Sequence, residues 1–434
     1  MIPVLLFTAV VALPQDTARL TVATAVDRAL ATHPAVGAAR AQRDAASSEV
    51  GQARAALFPA LSLDGAINRF EEPMVVYPLH SLDVRNPPLF DRSLSQVQVG
   101  AAYTVFDFGA RTARVKAAES QRDAAGATLG ATEQQLVART ATAFLRVLTA
   151  RGVLAAEDQR LAALAAELKR ARDRLAAGKS ARLDTLRASA ELASASADRL
   201  TSAANVDIAE HDLARLTGVA FTAVHGAPLV DVRLSAAADA VPQSAMLNPD
   251  VQAAERRAAS ADAAVGAARS ALYPTVQATS AIVDRSNLTG RYLAEWQVGL
   301  ALSYPLFTGG GRPSAIGRAE ATARAAQQQA QLAQLTALQQ YDEARAGVDE
   351  ARARAVALDA AVQQSAEVAR ITQLARDVGE GTQTDYLIAE SNLFRARSSL
   401  VQARHAVISA RVELARVLGE LSRTWIASSL EPLP

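Results

Sequence analysis

The sequence states one plan twice. His33-Pro34-Ala35-Val36 returns as Asn248-Pro249-Asp250-Val251, and Ala53-Arg54-Ala55-Ala56-Leu57-Phe58-Pro59 returns as Ala268-Arg269-Ser270-Ala271-Leu272-Tyr273-Pro274, each 215 positions later. Further on, Gly178 and Asp184 are matched by Gly379 and Asp385, and the run Leu213–Gly218 by Leu414–Gly419, now 201 positions apart. A loop 14 residues longer in the first half accounts for the change. A unit this long is not a solenoid repeat but a duplicated half-protein. Function is therefore expected where two like halves meet around an axis. The plan divides the chain into a signal peptide (1–14), a first repeat (20–218), a connector (219–246), a second repeat (247–420) and a C-terminal tail (421–434). The tail, with its serines and prolines, reads as loosely packed.

Composition narrows the classes. Half of the residues are hydrophobic, yet only 4% are aromatic, and alanine dominates. Such a chain favours long helices in close contact over a thick globular core. A net charge of +1 gives no reason to expect nucleic acid. The absence of cysteine removes disulfides, thiolate catalysis and a lipid anchor on cysteine. The five histidines (His33, His80, His211, His225, His405) show no ligand spacing, so no metal is expected. Thr308-Gly309-Gly310-Gly311-Arg312 lacks the Lys-Ser/Thr of a phosphate loop and reads as a strand-to-helix bend. No convergent set of titratable residues points to an enzyme, and no cofactor is expected. Ile2 to Leu13 is apolar and ends near small residues, as a signal peptide does. No run reaches the ~18–20 apolar residues of a membrane helix, so any membrane crossing must use strands.

Periodicity supplies those strands. After Phe58-Pro59 and Tyr273-Pro274 the apolar spacing falls from about 3.6 to 2. Leu61, Leu63 and Ile67 alternate with Ser62, Asp64 and Asn68, and Val276, Ala278 and Ile282 with Thr275, Gln277 and Thr279. A second strand in each half carries Val97, Val99, Ala101, Tyr103 and Val105, or Trp296, Val298, Leu300, Leu302 and Tyr304, against small and polar partners. The expected strands are Ala60–Phe70, Leu94–Phe106, Thr275–Asp284 and Glu295–Phe307. They are of roughly the ~9–11 residues that cross a bilayer, apolar outward. Val97, Val99, Tyr103, Trp296, Val298, Leu300 and Tyr304 are the membrane-facing candidates, with the aromatic residues near strand ends as an interface requires.

Long helices follow over Ala110–Ala177 and Pro313–Val378, each on the order of 100 Å at ~1.5 Å per residue. Leu161, Leu164, Leu168, Ala171 and Leu175 keep a coiled-coil spacing. Gly178 and Gly379 end these helices, and shorter return helices follow. Four strands cannot close a barrel, and an open edge in lipid leaves backbone groups unpaired. Two copies give eight strands, whose interior side chains fill; three give about twelve, with room for a pore.

His33-Pro34, Asn248-Pro249, Leu57-Phe58-Pro59, Tyr304-Pro305-Leu306-Phe307 with its glycine run, and Gly379-Glu380-Gly381-Thr382-Gln383-Thr384-Asp385-Tyr386-Leu387 carry a resemblance over about residues 20 to 420. In order and in duplicate, these motifs resemble the TolC-like outer membrane efflux proteins. The resemblance implies a homotrimer: a 12-stranded β-barrel, four strands per chain, in the outer membrane, continued by a long α-helical barrel across the periplasm. It implies an exit duct for a tripartite efflux pump, with a periplasmic adaptor protein and an inner-membrane pump as partners. The outer membrane component of a type I protein secretion system is the alternative, and a soluble periplasmic coiled-coil scaffold is the reading from a different class.

In that family a gate lies at the tip between the long and return helices of the second half. Asp385 matches a gate aspartate, with Gln383 and Thr384 beside it. The family's second aspartate is replaced by Ile388, and Gly381 stands in the region of a latch arginine, so the family latch does not carry over. The other reading of Asp385 is a helix N-cap, which Asp184 in the first half also fits. The tips Gly178, Lys179, Ser180 and Gly379, Glu380, Gly381, Thr382 are the candidates for adaptor docking.

Overall fold

The computed structural model of the protein describes residues 20–76, 85, 90–179, 181–225, 227–235, 247–287 and 292–432. The expected signal peptide (1–14), Ser180 and much of the connector lie outside the described residues. The elements are α1 (Val22–Thr32), α2 (Pro34–Ala55), β1 (Ala60–Val75), β2 (Phe90–Phe106), α3 (Ala110–Ala176), α4 (Arg182–Thr217), α5 (Phe221–His225), β3 (Val232–Leu234), α6 (Pro249–Ser270), β4 (Thr275–Ser286), β5 (Tyr292–Ser303), α7 (Gly311–Val378), α8 (Gln383–Val417), α9 (Arg423–Ser429) and β6 (Leu430–Pro432). The duplication survives in the lengths. Helices α2 and α6 both have 22 residues, α3 and α7 have 67 and 68, and α4 and α8 have 36 and 35. Proline opens both α2 and α6, where its missing N–H has no helical partner to lose.

The chain forms two compact units, each assembled from both repeats. One comprises Ala39–Leu129 and Pro249–Leu335, the other Met1–Ala38, Gly130–Asn248 and Thr336–Pro434.

The first unit holds a four-stranded antiparallel sheet in the order β1-β2-β4-β5. The central β2–β4 pairing joins the two repeats, and β1 and β5 each leave one edge without a partner among the described residues. The register puts Leu63 opposite Val99, Val99 opposite Ile282, and Ile282 opposite Trp296. One face is therefore apolar across all four strands and carries Leu61, Leu63, Val97, Val99, Tyr103, Val298 and Leu300. The other face carries Gln98, Gly100, Thr279, Gly299 and the Arg285–Glu295 ion pair at 2.7 Å. The apolar face is the exposed one: Ile282 is 60% exposed, while its neighbour Val283, on the other face, is 4% exposed. That inverts the pattern of a soluble sheet.

The strands run beyond the expected limits at one end, β1 to Val75 and β2 back to Phe90. At the other end β5 stops at Ser303, so Tyr304 and Phe307 lie past the strand. Pro305 explains the stop, because its ring nitrogen has no hydrogen to give a sheet ladder. In the same unit α2 meets α3 through Arg54 and Glu119 (2.5 Å), and α6 meets α3 where Ser260 Oγ donates to the Ala117 carbonyl (2.9 Å). A Cβ at Gly266 would lie 3.6 Å from Ala113 Cβ, which shows how closely small residues let these helices pack.

The second unit contains the main core. Val26 of α1, Phe144 and Leu145 of α3, Leu213 of α4, Val224 of α5, Val412 of α8 and Ile426 of α9 pack in one buried cluster. The tail, expected to be loose, is part of it. Ser422 Oγ accepts from Trp425 N–H (3.1 Å) and starts α9, and Leu421 and Ile426 are buried. Strand β6 then pairs antiparallel with β3 of the connector, Leu234 opposite Leu430. Burying an aliphatic side chain of this size is worth about 1.5–3 kcal/mol, enough to hold a short tail in place.

Candidate functional site

The long helices turn back in the same way in both repeats. At the end of α3, Gly178 has a φ of 68°, its N–H reaches the Leu175 carbonyl (2.9 Å), and Lys179 N–H reaches that of Arg174 (2.8 Å). At the end of α7, Gly379 has a φ of 86°, with Gly379 N–H on Arg376 (3.1 Å) and Glu380 N–H on Ala375 (2.9 Å). Both are Schellman closures, which need a left-handed residue and so favour glycine. Gly178, Lys179, Gly379, Glu380 and Thr382 are exposed, and Gly381 is half-buried against Ala375.

Helix α8 begins at the expected gate residues, but Asp385 is not its N-cap. Thr382 holds that position: its Oγ1 accepts from Asp385 N–H (3.1 Å) and donates to Asp385 Oδ2 (2.6 Å). The carboxylate sits in the first turn, where the helix dipole favours negative charge, and remains exposed. Asp184 occupies the matching first-turn position in α4, whose cap, Ala181, makes no side-chain bond. The capping reading is thereby moved from Asp385 to its neighbour.

Gln383 and Thr384 tie the second hairpin to the first. Gln383 Nε2 donates to Glu167 Oε1 of α3 (2.8 Å), and Arg187 Nη1 of α4 donates to Thr384 Oγ1 (2.7 Å). The centre of the link is a pair that sequence reasoning missed. Arg376 of α7 donates through Nη1 to Glu167 Oε2 at 2.8 Å, and both side chains are only 5% exposed. Glu167 also receives Arg170 (2.6 Å), and Arg376 also reaches Asp377 (2.9 Å). The Arg376 guanidinium lies 4.0 Å from the centre of the Tyr386 ring, a cation–π contact. Burial pushes the Arg376 guanidinium down, but the Asp377 hydrogen bond and the Glu167 and Asp377 charges outweigh it and hold it above its ordinary value. Burial raises the Tyr386 hydroxyl, and Glu390 adds to the rise.

A signal for this pair exists in the sequence. Glu167 lies three residues after Leu164 and four before Ala171, so it interrupts the apolar stripe of α3 with a charge. Arg376 does the same seven residues after buried Ala369. Two turns deeper, a second cluster joins the hairpins: Arg160 lies 3.6 Å from Glu157, 3.1 Å from Asp198 and 5.1 Å from the Phe394 ring centre. Desolvation raises the Glu157 carboxyl above its ordinary value, opposed by the Arg160 charge. Between the hairpins lies a cavity of about 130 Å³ lined by Leu164, Glu167, Tyr386 and Phe394 among others.

Among the described residues no helix is long and apolar enough to cross a membrane. Of the membrane-facing candidates, Val97, Val99, Tyr103, Trp296, Val298 and Leu300 stand exposed on the apolar sheet face. Tyr304, one residue past β5, has the Arg312 guanidinium 5.4 Å from its ring centre.

The profile of the outer membrane efflux protein family matches residues 25–219 and 240–420, one stretch per repeat. Protein CyaE of Bordetella pertussis is 29% identical over 425 residues, which covers 93% of this chain and 84% of that protein. Nodulation protein T of Rhizobium leguminosarum bv. trifolii is 24% identical over 302 residues, 67% of this chain and 64% of that protein. The crystal structure of the outer membrane protein VceC from Vibrio cholerae superimposes with a TM-score of 0.79 at 23% identity, covering 92% of this chain and 96% of that one. The chain belongs to the outer membrane efflux protein family, and is an outer membrane efflux channel with a long helical periplasmic part.

Proposed function

We propose that three copies of the chain form the exit duct of a tripartite pump that exports small molecules. The observation that carries this reading is the sheet of β1, β2, β4 and β5, whose apolar face is exposed and whose two edges have no partner among the described residues. Lipid satisfies such a face, and pairing β5 of one copy with β1 of the next removes the edges. Twelve strands then enclose a lumen lined by the small and polar face. A periplasmic adaptor docks at the tips, on Gly178, Lys179, Ser180, Gly379, Glu380, Gly381 and Thr382, and links the duct to an inner-membrane pump.

The gate in this reading is the first turn of α8. Asp385 contributes one carboxylate per copy to a constriction, with Gln383 and Thr384 setting its position through their bonds to the neighbouring hairpin. Three carboxylates near one axis attract cations, and salt screens the attraction. The test is Asp385→Asn in planar bilayers. Asparagine keeps the acceptor that Thr382 uses and removes only the charge. Cation selectivity at low salt should fall, as should any block by polyvalent cations. Unchanged selectivity would leave Asp385 a part of the helix start alone. The cargo is read separately, from accumulation of small-molecule dyes in cells lacking the gene. Normal dye export together with loss of a secreted protein would replace the pump by a secretion system.

A further inference from the structure

We propose that Asp207, Glu210 and His225 form a site for a divalent transition-metal ion of the zinc class, clamping α5 to α4. The three side chains offer ligand atoms that all lie within 4.8 Å of one another. They come from two elements, the carboxylates one turn apart on α4 and the imidazole at the end of α5. The three have unequal surroundings. Glu210 is 1% exposed, and Arg151 Nε and Nη2 grip its Oε1 at 2.8 and 2.5 Å. Its other oxygen, Oε2, is thereby aimed at His225 Nδ1, 2.7 Å away. Phe221 stands beside the His225 ring, 5.5 Å between centres, and stacks on His211 at 3.9 Å. The guanidinium and the aromatic ring thus orient two ligands from outside the site, as a second layer around a metal does.

Charge favours a cation here. Arg151 compensates Glu210, but Asp207 has no ion-pair partner among the described residues and sits within reach of a second carboxylate. Arg151 also donates to the carbonyls of Val224 (3.0 Å), His225 (3.2 Å) and Ala227 (3.0 Å), which anchor it beside Glu210. One imidazole and two carboxylates suit zinc, cobalt or manganese better than magnesium or copper(I). Zinc bonds of about 2.0–2.2 Å place tetrahedral ligand atoms roughly 3.3 Å apart. Asp207 is exposed and the His225 side chain is 60% exposed, so both can close the difference and leave a further position to water. The ion takes the place of the Glu210–His225 hydrogen bond, binding His225 through the Nδ1 lone pair with the ring proton on Nε2.

The experiment uses the full-length protein in detergent, freed of metal by a chelator and titrated with Co²⁺ under a visible spectrum. One saturable Co²⁺ per chain, displaced by Zn²⁺, is the expected result. His225→Gln and Asp207→Asn each lie outside the Arg151–Glu210 pair and leave the fold intact. Each should weaken binding at least roughly tenfold, while Asp27→Asn on α1 should not. Thermal melting with and without Zn²⁺ gives a second readout, with stabilisation in the wild type and none in either variant. Absence of saturable binding, or equal binding by wild type and both variants, overturns the proposal and leaves Glu210–His225 a hydrogen bond only.

Discussion

Replacing Glu167 by leucine gives the sharpest test of how the hairpin tips are held. The substitution removes the acceptor for Arg376 (2.8 Å), Arg170 (2.6 Å) and Gln383 (2.8 Å) in one step. It leaves the Arg376 cation under a cover where only 5% of its side chain is exposed. Breaking a buried pair from one side costs about 3–5 kcal/mol. Asp377 still holds Arg376 at 2.9 Å and is 54% exposed, which places the cost at the lower end. About 3 kcal/mol corresponds to a shift of roughly 100-fold in an equilibrium. The bonds join one hairpin to the other and leave the main core untouched, so the cost falls on local separation of the tips. Amide exchange over residues 374–390 reads it directly and should accelerate by about two powers of ten. Single-channel recordings should show long-lived open events. The double variant Glu167→Leu, Arg376→Leu supplies the control. Replacing both partners by apolar residues removes the stranded charge and is often neutral or stabilising. It should return exchange towards the wild-type rate. Wild-type exchange in Glu167→Leu, or a double variant as loose as the single one, would refute the reasoning.

Arginine at Val99 or Leu300, both on the exposed apolar face, should cost about 2–4 kcal/mol near the bilayer midplane. Heat-resistant trimers extracted from membranes measure it, and normal yields of both variants would count against a lipid-facing sheet. Glu157 has a raised carboxyl, with burial as the main cause. Its neutral form is the one the fold prefers, so its contribution is present at acid pH and is lost as pH rises through the raised value, above the ordinary ~4.3. The melting temperature of the wild type should therefore fall more steeply than that of Glu157→Gln as pH rises above the ordinary carboxylate range; equal slopes would assign the pH response elsewhere. Tryptophan at Gly178 or Gly379 should abolish pump-dependent resistance while trimers persist. Full resistance would move the docking surface away from the tips.

Much of this architecture was legible because it was written in duplicate. A single alternating run such as Leu61-Ser62-Leu63-Asp64 is weak, but its partner at Val276-Gln277-Ala278-Thr279 has the same parity, and the observed register lines both up on one face. Glycine at 178 and 379 and proline at 34 and 249 marked helix limits to within a residue or two, since each acts through its own backbone. What escaped depends on residues distant in sequence. Glu167 and Arg376 are 209 positions apart, and in helices laced with charge nothing marks one pair as buried except its place on the apolar stripe. The strand order, with β2 beside β4, is a property of how the repeats meet and leaves no local trace. The tail looked loose because β6 has only three residues and needs β3, almost 200 positions earlier, to become a strand. Ser422, three positions ahead of Trp425, was the local cap that could have revealed α9.

The two open edges of the sheet have a genetic consequence. In the proposed trimer each seam would take β5 from one chain and β1 from another, so a lesion in either strand would damage a barrel to which two sound subunits had also been committed. In a cell making equal amounts of normal and edge-damaged chains, only about one trimer in eight would contain normal chains alone. Edge-strand lesions should therefore behave as dominant alleles, silencing most of the normal product. Lesions confined to the proposed docking tips should leave assembly intact, and their severity should instead follow how many sound tips a partner requires.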